Sequence, residues 1–152
     1  MAVSRALRRL LRIRQLQEEH SQAALDDALS ELRHFEAALR SARERERGGR
    51  RLVAAGAVTG NLTDRLAGLE ETRAAARRAS FLEPRIAEAE STVSERRRQF
   101  LERRVERRQA ETLIREKETA DALEAGRRAQ SSIDDWFLRR MQRAPGSSKD
   151  DL

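Results

Sequence analysis

Five of the seven glycines fall between Gly48 and Gly68, and the stretches on either side contain almost nothing that stops a helix. Residues 1–47 hold neither Gly nor Pro, and residues 69–125 hold only Pro84. Both stretches are dense in Ala, Leu, Glu, Gln and Arg, all strong helix formers. The pattern predicts an all-α chain, a long antiparallel two-helix coiled-coil hairpin with a short helix in the connecting tip. A lone hairpin offers little concave surface for chemistry, so its expected work is to reach, bind or transmit.

Composition agrees with a seam rather than a spherical core. Of 152 residues, 38% are charged, 38% hydrophobic and only 3% aromatic. A globule needs more bulky apolar side chains than that, whereas a seam between two helices needs one in every three or four residues. Without cysteine there is no disulfide, thiolate nucleophile or Cys-based metal site, as suits a reducing cytosol. No apolar run approaches the roughly 18 residues of a membrane span. At the start, Arg8, Arg9, Arg12 and Arg14 break every apolar run, so the segment lacks the core of a secretory signal. The expectation is a soluble, internal chain.

The net charge is +6, and thirty of the 32 basic residues are arginines, Lys117 and Lys149 being the exceptions. A GC-rich genome would produce that bias by itself; guanidinium forks also suit carboxylates and phosphates. Acid-first pairs four apart, Glu36/Arg40, Glu46/Arg50, Glu111/Arg115, Glu124/Arg128 and Asp135/Arg139, predict a solvated, internally paired helix face.

Along the chain, Leu25, Ala28, Leu32, Phe35, Leu39 and Ala42 recur at alternating steps of three and four, the seam of a coiled coil. The same phase runs back through Ser21, Glu18 and Arg14 to Leu11 and Leu7. Leu10, Ile13 and Leu16 lie on another side, and Ser4 suits an N-cap. Helix 1 is expected over about 4–55. Gly48-Gly49 should weaken or end it, opening a tip over 48–80. Asn61 or Thr63 caps a short tip helix over about 63–79. Ser80-Phe81-Leu82-Glu83 reads as a capping box with Pro84 in the first turn, starting helix 2 over about 81–142. Residues 1–144 then form one hairpin, with 145–152 a disordered tail. Arms of about 50–60 residues, roughly 75–90 Å each, would bring both termini to one end. There Leu7, Leu10 and Leu11 would meet Trp136 and Phe137, ringed by arginines.

Little here carries chemistry. His20 and His34 are fourteen residues apart with no acidic cluster at ligand spacing, so no metal or other cofactor is expected. No phosphate-cradling glycine motif occurs, and the carboxylates interleave with arginine, so no catalytic residue stands out and the chain reads as non-enzymatic. Arg96-Arg97-Arg98, Arg103-Arg104 and Arg107-Arg108 could contact phosphates, but only Phe100 is available for stacking and Glu95, Glu102, Glu106 and Glu111 dilute the patch. Nucleic-acid binding is therefore the weaker reading. The cationic, apolar residues 2–16 suit a membrane surface as well as a protein partner, and the protein partner is favoured, without stable membrane insertion.

The basic-apolar start Ser4-Arg5-Ala6-Leu7-Arg8-Arg9-Leu10-Leu11-Arg12-Ile13-Arg14-Gln15-Leu16-Gln17, the acid-aromatic-basic stretch Asp134-Asp135-Trp136-Phe137-Leu138-Arg139-Arg140, the size and the hairpin pattern together resemble the FliJ/YscO-like family, the central-stalk proteins of flagellar and injectisome type III secretion. The resemblance implies a bacterial cytoplasmic stalk, similar to the γ subunit of rotary ATPases and peripheral to the secretion apparatus at the inner membrane. Its paired termini would enter a hexameric secretion ATPase, its tip would face the export gate protein, and export chaperones would be further partners. On this reading the ATPase contacts are Leu7, Arg8, Leu10, Leu11, Arg12, Ile13, Trp136, Phe137, Arg139 and Arg140. The alternative is a generic coiled-coil scaffold or adaptor.

Overall fold

The computed structural model describes residues 5–143. The protein is all-α: helix α1 spans Arg5–Thr59 and helix α2 spans Leu62–Arg143, with no strand among the described residues. Only Gly60 and Asn61 interrupt the helices. Gly60 has φ +71°, a left-handed conformation that glycine adopts without a steric penalty and that commonly closes a helix. Asn61 then caps α2, as its sequence position predicts. Its Oδ1 accepts from the backbone N–H of Thr63 at 3.0 Å and of Asp64 at 3.3 Å, while its Nδ2 donates to Asp64 Oδ2 at 2.9 Å. Ser4 and the tail 145–152 lie outside the described residues.

The chain divides into two units, Gln15–Glu106 and the pairing of Met1–Arg14 with Arg107–Leu152. The first is an antiparallel hairpin. On α1 the heptad holds throughout: Ala28, Ala42, Gly49 and Gly56 are buried, and Leu25, Leu32, Phe35, Leu39, Glu46 and Val53 are half-buried. On α2 the matching row is Gly68, Thr72, Ala75, Ala79, Leu82, Ile86, Ala89 and Val93, again at steps of four and three, with Thr72 and Ile86 half-buried and the rest buried. Leu82, 1% exposed, is the only large side chain fully inside among the described residues. Arg43–Glu83 at 3.7 Å and Arg45–Glu71 at 4.0 Å join the helices from either edge of the seam. All four side chains are exposed, so each pair contributes at most about 1 kcal/mol and packing of the seam carries the fold.

Gly48-Gly49 does not end α1, and 48–80 is not an interrupted tip. The buried glycines are where the helices touch. A Cβ on Gly68 would lie 2.6 Å from the Gly49 carbonyl oxygen and 2.8 Å from the backbone nitrogen of Val53. One on Gly49 would lie 2.8 Å from the Gly68 oxygen, and one on Gly56 2.9 Å from the Asn61 oxygen. Backbone meets backbone there, which only glycine permits. Gly48 has open space around it and sits on the solvent side.

The start of a separate helix at Ser80 is likewise absent, since α2 runs unbroken through Pro84. A proline inside a helix removes one backbone hydrogen bond and costs about 3 kcal/mol. Ser80 and Pro84 are both exposed, so the freed carbonyl is on the solvent side, while Ala79, Leu82 and Ala89 hold the opposite face against α1. The predicted short helix 63–79 and helix 2 are thus one element of 82 residues.

In the second unit Ala110 is buried. Leu7, Leu10, Leu11 and Arg14 on α1, and Arg107, Glu111, Ile114 and Asp121 on α2, are half-buried. Beyond Asp121 every described residue is exposed. Of the predicted i, i+4 pairs, Glu46/Arg50 and Glu124/Arg128 form, whereas Glu111 takes Arg107 instead.

Candidate functional site

The site read from the sequence joined the two termini. The burial pattern decides otherwise. The turn is at Gly60-Asn61, α1 has 55 residues and α2 has 82. Trp136 lies fifteen residues beyond Asp121 (136 − 121), about 22 Å along a helix, so it does not sit beside Leu7, Leu10 and Leu11. Those three leucines are instead half-buried within their own unit. Arg8, Arg12 and Ile13 remain exposed, Ile13 at 45%.

What remains is residues 122–143, about 33 Å of helix with no covered face. Alanine, glutamate, glutamine and arginine favour a helix there, and Gln130 Nε2 donates to Asp134 Oδ1 at 3.0 Å while Glu124 pairs with Arg128. Toward its end lie Ile133, Trp136, Phe137, Leu138 and Met141, between 49% and 76% exposed. The Trp136 and Phe137 rings meet edge to face, 5.1 Å apart at 79°. The Arg140 guanidinium lies 5.1 Å over the Trp136 ring. Such a stack is worth about 0.5–1 kcal/mol at an exposed site, enough to bias the indole but not to cover it. Arg139 and Arg143 add charge around it. An aromatic cluster with an arginine rim is the composition of binding hot spots.

At the border of this stretch, Lys117 Nζ is 2.9 Å from Asp121 Oδ1. The hydrogen bond from Lys117 holds the Asp121 carboxyl below its ordinary range, and Asp121 in turn raises Lys117. His20 and His34 are exposed, and no group of three or more metal-capable side chains occurs among the described residues. No described helix is long and apolar enough to cross a membrane.

The unequal arms were missed in the sequence because the glycine cluster was read as a wide tip. The signal that could have found them is Gly60-Asn61 alone, a closing glycine followed by a capping side chain. No family model, curated protein or solved structure matches the chain.

Proposed function

We propose that the chain is a central-stalk component of a bacterial type III secretion system, acting in the cytoplasm beside the inner membrane. It binds the hexameric secretion ATPase through the exposed end of α2. The observation that supports this reading most is the uncovered Trp136–Phe137–Arg140 cluster on a helix with no neighbour of its own. The pattern likeness of both ends of the chain to the FliJ/YscO-like family points the same way. A single helix inside a six-fold ring cannot touch six subunits equally, so its position favours some subunit states over others and couples them. Leu7, Leu10 and Leu11, half-buried in their own unit, serve its packing, while Trp136, Phe137, Arg139 and Arg140 make the contacts. Contact with an export gate and with export chaperones belongs to the same proposal.

The test is co-purification with a secretion ATPase and measurement of its turnover. Trp136→Ala with Phe137→Ala should weaken association by about a hundredfold, the loss of one or two hot-spot side chains. Both residues are exposed, so helicity and melting should not change. Wild-type stimulation by this double variant would contradict the docking assignment. Arg140→Glu should weaken association in a salt-dependent way.

A further inference from the structure

In a two-helix hairpin the positions flanking the seam meet water and are usually charged. Unit Gln15–Glu106 keeps that rule on both edges: Arg43 faces Glu83 on one, Arg45 faces Glu71 on the other. The rule fails on α2 beside the turn. Leu62, Leu69 and Ala76 occupy, at steps of seven, the flanking row that Glu83 continues. Leu66 lies alongside, so Leu62, Leu66 and Leu69 form an i, i+4, i+7 stripe, exposed by 64%, 55% and 40%. It is separate from the seam row Gly68, Thr72 and Ala75, which α1 already covers. An apolar surface wider than one neighbour can cover is the mark of a helix that packs against two.

On the same edge, farther from the turn, Arg40, Arg43, Arg47 and Arg50 line one face of α1 at i, i+3, i+7 and i+10, around a shallow groove with Glu44 and Glu46. The Arg43–Glu83 pair fixes which edge this is, because Glu83 shares its row with the leucines. Arg50 is held by Glu46. Arg40, Arg47 and Arg73, the last one turn past Leu69, form no ion pair among the described residues.

We infer that this edge of the hairpin docks an acidic amphipathic helix of a protein partner. The partner's apolar residues cover Leu62, Leu66 and Leu69, and its carboxylates meet Arg40, Arg47 and Arg73. Charge complementarity selects it. Guanidinium forks bind carboxylates bidentately, and three of them stand here without an ion-pair partner among the described residues. The i, i+4, i+7 spacing suits a helix laid in a groove. A nucleic acid would leave the leucines unused and finds no aromatic on this edge to stack on. A second copy would bring arginine stripes toward each other. From the turn to Arg40 is about 30 Å, so the docked helix has about 20 residues. The site is independent of the α2 end, and neither reading needs the other.

The test uses the full chain and a labelled 20-residue synthetic peptide with leucines at i, i+4, i+7 in one half and glutamates in the other. A peptide of the same composition in scrambled order is the control. Fluorescence anisotropy should show saturable binding of the patterned peptide, at least tenfold tighter than the scrambled one. Leu66→Glu, an exposed change that circular dichroism should show to leave helicity intact, should weaken binding about tenfold or more. Arg47→Glu should weaken it severalfold at low salt, with the difference closing at high salt. Leu52→Glu, on the opposite edge in the row of Arg45, should change nothing. Equal binding of the two peptides, or indifference to Leu66→Glu, would overturn the proposal. Phosphatidylcholine–phosphatidylserine vesicles that capture the chain through Leu66 in place of the peptide would overturn it in favour of a lipid surface. A dimer in analytical ultracentrifugation that Leu66→Glu dissociates would overturn it in favour of a second copy.

Discussion

Residues 68–93 and residues 122–143 belong to the same helix and have opposite fates. The first stretch offers its seam little more than Gly68, Ala75, Ala79, Leu82, Ala89 and Val93, yet all six are buried. The second holds Ile133, Trp136, Phe137, Leu138 and Met141, and all five are exposed. Bulk does not decide burial here. Small residues in heptad register let α1 approach until backbone meets backbone at Gly49 and Gly68, and buried alanines continue the row farther along. The bulky residues lie past Asp121, the last described residue that is even half-buried. The first stretch is built to hold the hairpin, and the second is available to something else.

The largest effect should come from the seam. Leu82→Ala removes its one fully enclosed large side chain and should cost about 2–5 kcal/mol, read from denaturant unfolding. Phe35→Ala, at a half-buried position of the seam, should cost about 2–3 kcal/mol, less than a fully buried phenylalanine. Trp136→Ala, despite deleting a larger side chain, should fall within about 0.5 kcal/mol of wild type. A loss from Trp136→Ala comparable to that from Leu82→Ala would break the comparison.

Glycines sharpen it. Gly68→Ala places a methyl 2.6 Å from a carbonyl oxygen and should cost about 1–3 kcal/mol through overpacking. Gly48→Ala and Gly126→Ala meet nothing within 4 Å and should gain about 0.5–1 kcal/mol each from helix propensity. The neighbours Gly48 and Gly49 should therefore respond with opposite signs.

The smallest effect concerns pH. Hydrogen bonds from Arg98 and Gln99 hold the Glu95 carboxyl below its ordinary 4.5. A depressed carboxyl contributes stability that is present above its unfolded value and lost as pH falls through its folded one. Melting temperature should thus drop slightly below about pH 4.5, and Glu95→Gln should flatten that drop. Because Glu95 and Arg98 are exposed, the change should be modest and shrink with added salt.

Half of the seam was legible in the sequence. Leucines and Phe35 mark the heptad of α1 against a charged background. The matching row on α2 is written in alanine and glycine, and in a chain this rich in alanine those letters do not stand out from solvent-facing ones. Gly49, Gly56 and Gly68 read as helix breakers, because propensity is a local property whereas close approach depends on a residue far away in the chain. Pro84 read as a helix start for the same reason. The face opposite it is anchored by Leu82, a tertiary fact that no window around Ser80 contains. At the candidate site, Trp136, Phe137 and the arginines were found by type, but their separation from the half-buried Leu7 and Leu11 shows only in the burial pattern of their own unit, which ends at Asp121.

Hydrogen exchange followed by mass spectrometry tests the central contrast most directly, because both stretches are helical and differ only in what covers them. Backbone amides of residues 68–93 should exchange at the rate of global unfolding, while those of residues 122–143 should open locally and exchange orders of magnitude faster. Equal, slow exchange in the two stretches of the isolated chain would contradict it.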